Sequence, residues 1–509
     1  MPHTRLDWSA SVHDNNQVEL CFDYDLSSPQ TGAPLREDPR PRFTVDLYLV
    51  APAALDLDAK TYPKDRFFAD LTHRMRLHAP RISGFEKGRI EALDRYLALD
   101  LDLGAKQRLA PRVVQQTKLF ANYFNLRLKE VFVGEEPRPG LKYKRDLADT
   151  IALLDTFRER YADPLREPSL LYDGPVREAV LRVEAYLSDR ARAALSRVAL
   201  AGKRKALKAL RRESDHDVAV APLLEDEDDA VERYFHRYGQ LKKYVAEVLY
   251  LDRFPLHRDR LRRNLAAATG AALAALFAET ARYYNTAATG TTDFGLRVAF
   301  FLGLAVVAYV FKDRIKDLSK EYFGRRVLRD VPDRDARLDL RFVDRDGQRH
   351  VYPVAYHQES VSYIRSHQLP PDVAYLHERC DAVDLGIDRD VLRLTRTTTV
   401  EPDMLAQVEL SQASIKDILR LDVSAFLSHF DNPLKQLALY DSEEGSVVVQ
   451  APKVYHLDIV LRLQRQVPQT TGDERRIRLE VVRVVLDKNG IVRLEHPVPR
   501  DRYRYEEAV

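Results

Sequence analysis

A chain of 509 residues, 45% hydrophobic and 31% charged, is long enough for about three domains and too apolar for a disordered polymer. Its 80 basic and 78 acidic residues leave a formal net charge of only +2, which excludes the whole-molecule field of a nucleic-acid binder. Cys21 and Cys380 are the only cysteines, too few for a disulfide framework or a thiolate metal site, and they suit a reducing compartment. The opening stretch Met1–Gln17, with Asp7, His13 and Asp14, lacks the apolar core of a secretion signal, so none is expected. Arginine far outnumbers lysine, as in GC-rich bacterial coding.

The chain opens as β structure. Val18–Tyr24 is a weak strand candidate, and Ser27–Pro41 reads as a loop rich in Pro, Asp and Arg. Phe43, Val45, Leu47 and Leu49 alternate with Thr44, Asp46 and Tyr48, the period of a half-buried strand. From Lys64 the period predicts helices over Lys64–Leu77, Arg89–Leu101, Lys106–Phe132, Lys144–Tyr161, Pro175–Arg212 and Asp226–Leu251. Asp173-Gly174-Pro175 is a start signal, with proline suited to the first turn. Within the long helix Lys203, Arg204, Lys205, Lys208, Arg211 and Arg212 form a basic run, read as an anionic-lipid contact or as a solvated face balanced by Glu225–Asp229.

Two segments near the middle are nearly free of charge. Asn264–Ala278 and Val298–Phe311 carry none, although such short runs also suit a buried helical pair. Three features favour a bilayer. Tyr283, Tyr284 and Tyr309 stand where an aromatic belt would lie, and outer charges such as Glu279 can snorkel to the interface. Arg258, Arg260, Arg262 and Arg263 precede the pair and Lys312, Arg314 and Lys316 follow it, the pattern of two cytoplasmic flanks. Ala266, Gly270, Ala274 and Ala278, with Ala299 and Gly303, offer small faces for close helix packing.

Beyond the pair, Leu338, Leu340 and Phe342 alternate, and Asp346-Gly347 turns the chain into Val351–Tyr356. Ala413–Phe430 reads as a helix, and Ser446–Gln450, Val454–Leu463 and Ile477–Leu486 as strands. Asn489-Gly490 before Ile491–Leu494 is a hairpin signal, because this dipeptide readily supplies two positive φ values. The stretch Gln240–Leu251, the central pair, the Tyr309–Lys316 exit and the Lys453–Leu457 strand resemble a group of bacterial membrane-anchored proteins. The resemblance covers about the C-terminal half. It implies an anchored architecture and carries no activity or site residue.

No phosphate loop, GxGxxG turn, HExxH, CxxC or GxSxG elbow is present. Among weaker constellations, Asp215-His216-Asp217 sets an imidazole between carboxylates, although a solvated loop explains it more simply. His357, Glu359, His367, His377 and Cys380 share one stretch and are metal candidates, at a spacing that matches no defined site. Cys380 with His377 has the composition of a nucleophile and base. His456 reads as a satisfied strand histidine.

These readings predict an α+β chain. It has a β-containing region over 1–62, a helical domain over 63–253, a transmembrane hairpin over 254–326 and a β-rich domain over 327–509. The expected role is a non-enzymatic inner-membrane anchor or scaffold, with both termini cytoplasmic. Membrane lipids, a second copy and a cytoplasmic protein are its expected partners, with no nucleic acid and no cofactor. A triggered pore-forming effector and an enzyme with an unread site are the alternatives.

Overall fold

The computed structural model describes residues 6–24, 40–98 less 53, 54, 56 and 80, 102–133, 136–137, 142–166, 174–200, 228–256, 332–380, 389–408, 414–441, 445–469 and 472–498. Scattered positions between 268 and 314 are also described. Strands are β1 (Leu6–Asp14), β2 (Gln17–Tyr24), β3 (Arg42–Val50), β4 (Leu71–Leu77), β5 (Phe132–Val133), β6 (Glu136–Pro137), β7 (Asp252–Pro255) and β8 (Arg334–Val343). They continue as β9 (Arg349–Arg365), β10 (Asp390–Val400), β11 (Ile415–Asp422), β12 (Leu434–Asp441), β13 (Gly445–Pro452), β14 (Tyr455–Gln469), β15 (Gly472–Asp487) and β16 (Gly490–Glu495). The helices used below are α1 (Lys64–Asp70), α2 (Glu91–Leu97), α3 (Leu103–Val131), α4 (Lys142–Phe157), α5 (Asp163–Arg166), α6 (Gly174–Leu200), α7 (Asp228–Ala246) and α8 (Pro371–Cys380).

Two antiparallel sheets face one another. The larger has eight strands in the order β16-β15-β14-β3-β10-β9-β8-β7, and the smaller has four, β1-β2-β11-β4. The sheets are tied at both edges. Arg76 of β4 bridges Tyr250, and Leu251 N donates to Met75 O at 3.0 Å just before β7. At the other edge Ile491 N donates to Asn15 O at 2.7 Å. Backbone groups that an open edge would expose are thereby paired. Inward-facing Phe22, Phe43, Leu47, Leu394, Leu419, Ile459 and Val484 form one core with the helices.

Because β3 lies between β14 and β10, the first 62 residues share a sheet with residues 327–509. β3 is also buried on both faces, unlike the half-buried strand its alternation suggests. Tyr48 and Val50 meet Val373 and Cys380 of α8, which covers the outer face of the sheet. The helical layer centres on α3, packed by α2, α4, α6 and α7. Phe120 stacks on Phe157 at 5.4 Å, and Asn122 donates to Val245 O at 2.8 Å. α3 docks on the β8–β9 turn, where Gln115 accepts from Val343 N at 2.9 Å. Gly347, at φ 83°, allows this approach, since a Cβ there would lie 1.9 Å from Arg108 O.

Two segments read as helix contain strands. Lys64–Leu77 divides into α1 and β4, and Ala413–Phe430 holds β11 followed by a short helix over Ser424–Leu427. β4 and β11 pair with each other, and this ladder overrides local helix preference.

The transmembrane hairpin expected over 254–326 falls mostly outside the described residues. Its first residues belong to β7, and described positions such as Ala272, Leu276, Tyr283 and Arg314 are helical and exposed. Among the described residues no helix is long and apolar enough to cross a membrane. The transmembrane hairpin, the membrane-protein reading and the inner-membrane location are corrected on that finding. The charge-free segments Asn264–Ala278 and Val298–Phe311 are each shorter than the about 20 residues a span requires, and basic flanks orient a span without creating one.

The C-terminal hairpin forms with Asp487 paired to Gly490, so the turn is Lys488-Asn489, one residue earlier than expected. Gly490 has φ 133°, and a Cβ there would lie 2.3 Å from Asn15 O, where the sheets are tied. Gly490→Ala is expected to cost about 1–3 kcal/mol, through backbone strain and loss of the tie. Gly239→Ala in α7, where an added Cβ meets nothing within 4 Å, should instead stabilise slightly. Urea midpoints of both variants check this opposition of sign.

Candidate functional site

Between the two sheets lies a polar cluster drawn from six strands. β2 supplies Tyr24, β4 His73, β7 Arg253, β9 His357 and Glu359, β10 Arg396 and Thr398, and β11 Asp417. Tyr24, His357, Glu359, Arg396, Thr398 and Asp417 are all buried to 1% exposure or less. The inward alternation of each strand places them there, so each occupies a position where its neighbours are apolar.

Arg396 is the hub. Its Nε donates to Glu359 Oε1 at 3.2 Å and its Nη2 to Asp417 Oδ1 at 3.1 Å, joining the large sheet to the small one. Tyr24 donates to Asp417 Oδ2 at 2.7 Å. Arg253 donates from Nη1 to His73 Nδ1 at 3.1 Å and from Nη2 to Glu359 Oε2 at 2.8 Å. His73 Nδ1 therefore accepts, and its Nε2–H points to Asp417 Oδ1 at 2.8 Å. The two imidazoles lie 4.8 Å apart, centroid to centroid. His357 Nε2 is 3.2 Å from Glu359 Oε1, and its Nδ1 is 2.9 Å from the Thr398 hydroxyl, which rotates to suit either tautomer.

With both histidines neutral, two guanidiniums balance two carboxylates. Burial, followed by the charge of Arg396, pushes His73 down to about 4 against the pull of Asp417. Burial lowers His357 as well, opposed by its hydrogen bond to Glu359. Burial alone would raise Glu359, but the His357 hydrogen bond and nearby positive charges hold it well below the usual carboxylate range. Asp417 is also raised by burial and lowered further by Arg396.

The sequence candidates divide. His357 and Glu359 do converge, with His73 as the third member, and these three could hold a metal ion. His377 and Cys380 lie on α8, across the outer face of the sheet. There His377 meets Asp458 at 3.1 Å, and the Cys380 thiol, raised by burial, lies 3.8 Å from Pro497 O. His367 is exposed on the turn after β9, and His456 is exposed on β14. Gly303 is helical and exposed, and Arg314 likewise. Ala266, Gly270, Ala274, Ala278 and Ala299 lie outside the described residues. So do Arg258, Arg260, Arg262, Arg263, Lys312 and Lys316, the basic run Lys203–Arg212, and Asp215–Asp217. Sequence reasoning missed His73, Arg253, Arg396 and Asp417. The signal for two of them was period-2 alternation, Leu71-His73-Met75-Leu77 and Ile415-Asp417-Leu419-Leu421, with a polar residue at one inward position.

A second feature is on the surface. β12 and β13 form a two-stranded sheet of their own. Leu437 pairs with Val449 and Leu439 with Val447 on one face, and Ala438 pairs with Val448 on the other. Leu439 is 53% exposed, Tyr440 82% and Val448 66%. The root of this ribbon is held by Phe430 stacked on Tyr455 at 3.9 Å and by Lys453 N donating to Pro433 O at 2.7 Å.

No protein-family model, curated protein or solved structure matches this chain.

Two predictions follow from the cluster's charge balance. His73 binds fewer protons folded than unfolded between pH 6.5 and about 4, so stability falls as pH drops through that window. The loss across the whole window is about 3 kcal/mol at about 1.4 kcal/mol per pH unit, of which about 2 kcal/mol falls above pH 5. Urea midpoints at pH 7.5 and 5, with EDTA present, should show it, and His73→Gln should flatten the slope. Separately, Arg396→Met leaves buried Asp417 with no guanidinium and Glu359 with that of Arg253 alone, and should cost about 3–5 kcal/mol. Arg493→Met breaks the exposed pair with Glu495 and should cost under about 1 kcal/mol in the same assay.

Proposed function

We propose that the protein is a self-assembling scaffold whose copies join through the β12–β13 ribbon. The observation that carries this reading is a two-stranded ribbon that stands apart from the paired sheets and exposes apolar side chains on both faces. A hairpin by itself is marginally stable in water, and unpaired edges with exposed Leu and Val readily accept another strand. Both sheet edges elsewhere are tied to the opposite sheet, and the polar interior satisfies its charges within the chain. The ribbon is where further burial brings the most stability.

The composition of β13 favours a second copy as the occupant. Gly445–Pro452 reads GSVVVQAP and contains no charged residue. Two copies laid antiparallel about a two-fold axis therefore oppose valine and small polar side chains, with no like charges facing. This is the self-complementary arrangement of an isologous interface.

Sedimentation velocity across a concentration series tests the reading. The full chain should form a reversible dimer or larger assembly. Val448→Lys places a charge opposite its own copy and should weaken that assembly at least about tenfold, with an unchanged melting temperature. A monomer at every concentration, or an assembly indifferent to Val448→Lys, overturns it.

A further inference from the structure

We infer that the interior cluster is a transition-metal site whose cation position is filled, within the chain, by the guanidiniums of Arg253 and Arg396. The donor atoms are His73 Nδ1, His357 Nε2 and a carboxylate oxygen of Glu359, all within 4.8 Å of one another. Glu359 Oε1 is 3.7 Å from His73 Nδ1 and 3.2 Å from His357 Nε2. Ligand atoms about 2.0–2.2 Å from one ion at tetrahedral angles lie about 3.3–3.6 Å apart, so these two spacings bracket what a bound ion requires. Two imidazoles and one carboxylate suit a borderline dication such as Zn2+ or Co2+.

The surroundings already orient the ligands as metal-binding histidines are oriented. Asp417 takes the Nε2–H of His73 at 2.8 Å, which leaves Nδ1 as the free lone pair. The Thr398 hydroxyl lies 2.9 Å from His357 Nδ1, and accepting its hydrogen leaves Nε2 as a donor to a metal. The group that meets the His73 lone pair is Arg253, which also bonds the Glu359 carboxylate. Arg253 thus engages two of the three ligands, through His73 Nδ1 and Glu359 Oε2, while Arg396 lies 3.4 Å from His357 Nε2 and 3.2 Å from Glu359 Oε1.

Arg253 is placed to leave. Its side chain is 29% exposed, whereas Glu359 is 1% exposed and Arg396 is fully buried. It sits on β7, a four-residue strand at the edge of the large sheet. Arg396 remains on Asp417, and a bound ion displaces it from Glu359 Oε1 and His357 Nε2. A dication in place of Arg253 leaves one surplus positive charge, which calls for an anionic fourth ligand from solvent. Arg253 is therefore one of two intramolecular competitors that set the metal affinity, and its removal frees His73 Nδ1 and Glu359 Oε2.

The test uses the untagged full chain and Co2+ alone, followed by equilibrium dialysis and the visible ligand-field bands of bound Co2+. Arg253→Gln should bind one equivalent of Co2+ at least tenfold more tightly than the unsubstituted chain. Adding His357→Gln to that variant should abolish the bands. Arg253→Lys keeps a charge but cannot bridge His73 and Glu359 together, so it should fall between the two. That variant carries the test alone if Arg253→Gln does not fold. Equal Co2+ affinity in the Arg253 variants and the unsubstituted chain overturns the inference, as does one tightly bound equivalent that survives His357→Gln. None of these measurements depends on the state of assembly, so this site and the ribbon interface stand or fall separately.

Discussion

The guanidinium of Arg396, fully buried between Glu359 of one sheet and Asp417 of the other, is the contact on which the architecture depends. A charge in an apolar interior is tolerated only when paired and hydrogen-bonded, so its partners must arrive together. Asp417 comes from β11 and Glu359 from β9, strands that meet only when the two sheets face each other in one register. A one-residue slip in either strand would turn its carboxylate outward and leave Arg396 with only one of its two partners. The network therefore specifies the pairing of sheets more sharply than the surrounding leucines and valines, which tolerate repacking.

That register is supported from outside. α8 covers the outer face of β3, β14 and β15, the face on which Asp46 is also held by Arg393 and Thr395, while the inner face of β3 is apolar. α3 closes on the β8–β9 turn through Gln115, with Arg112 donating to Val343 O at 2.5 Å. The helical layer thus acts on the strands that carry His357 and Glu359. The cleft of about 770 Å3 between α3 and β8–β9, lined by Lys118, Glu247, Asp252 and Arg341, shares no residue with the cluster. Arg253, its side chain 29% exposed, is the solvent-accessible member of the pair it forms with Glu359.

The ribbon follows a different logic. Both edges of the paired sheets are capped by backbone hydrogen bonds, whereas β12 and β13 extend away from them on a fixed root. Apolar side chains on both faces of such an extension are costly in isolation and favourable at an interface. Assembly and interior chemistry then occupy different strands, which lets one change without the other.

The sequence by itself determined the elements whose side chains obey one simple period. The alternation of Phe43–Leu49, the strand Leu338–Phe342, the strong apolar runs of β14 and β15, and the amphipathic helices α3 and α6 were all legible. Each buries a continuous apolar face, and that demand is local. His73 and Asp417 escaped because each puts a polar residue at an inward position of its strand, and the broken alternation resembles a helical period. Only the tertiary structure decided that these positions face inward, because only the opposite sheet supplies the charges that make their burial tolerable. The central segment shows the converse. Charge-free runs and basic flanks are as available to short helices outside a membrane as to a span, and length, a physical requirement of the bilayer, was the deciding quantity. Which strands neighbour one another was likewise beyond local reading, since β3 joins β10 and β14 across more than three hundred residues of chain.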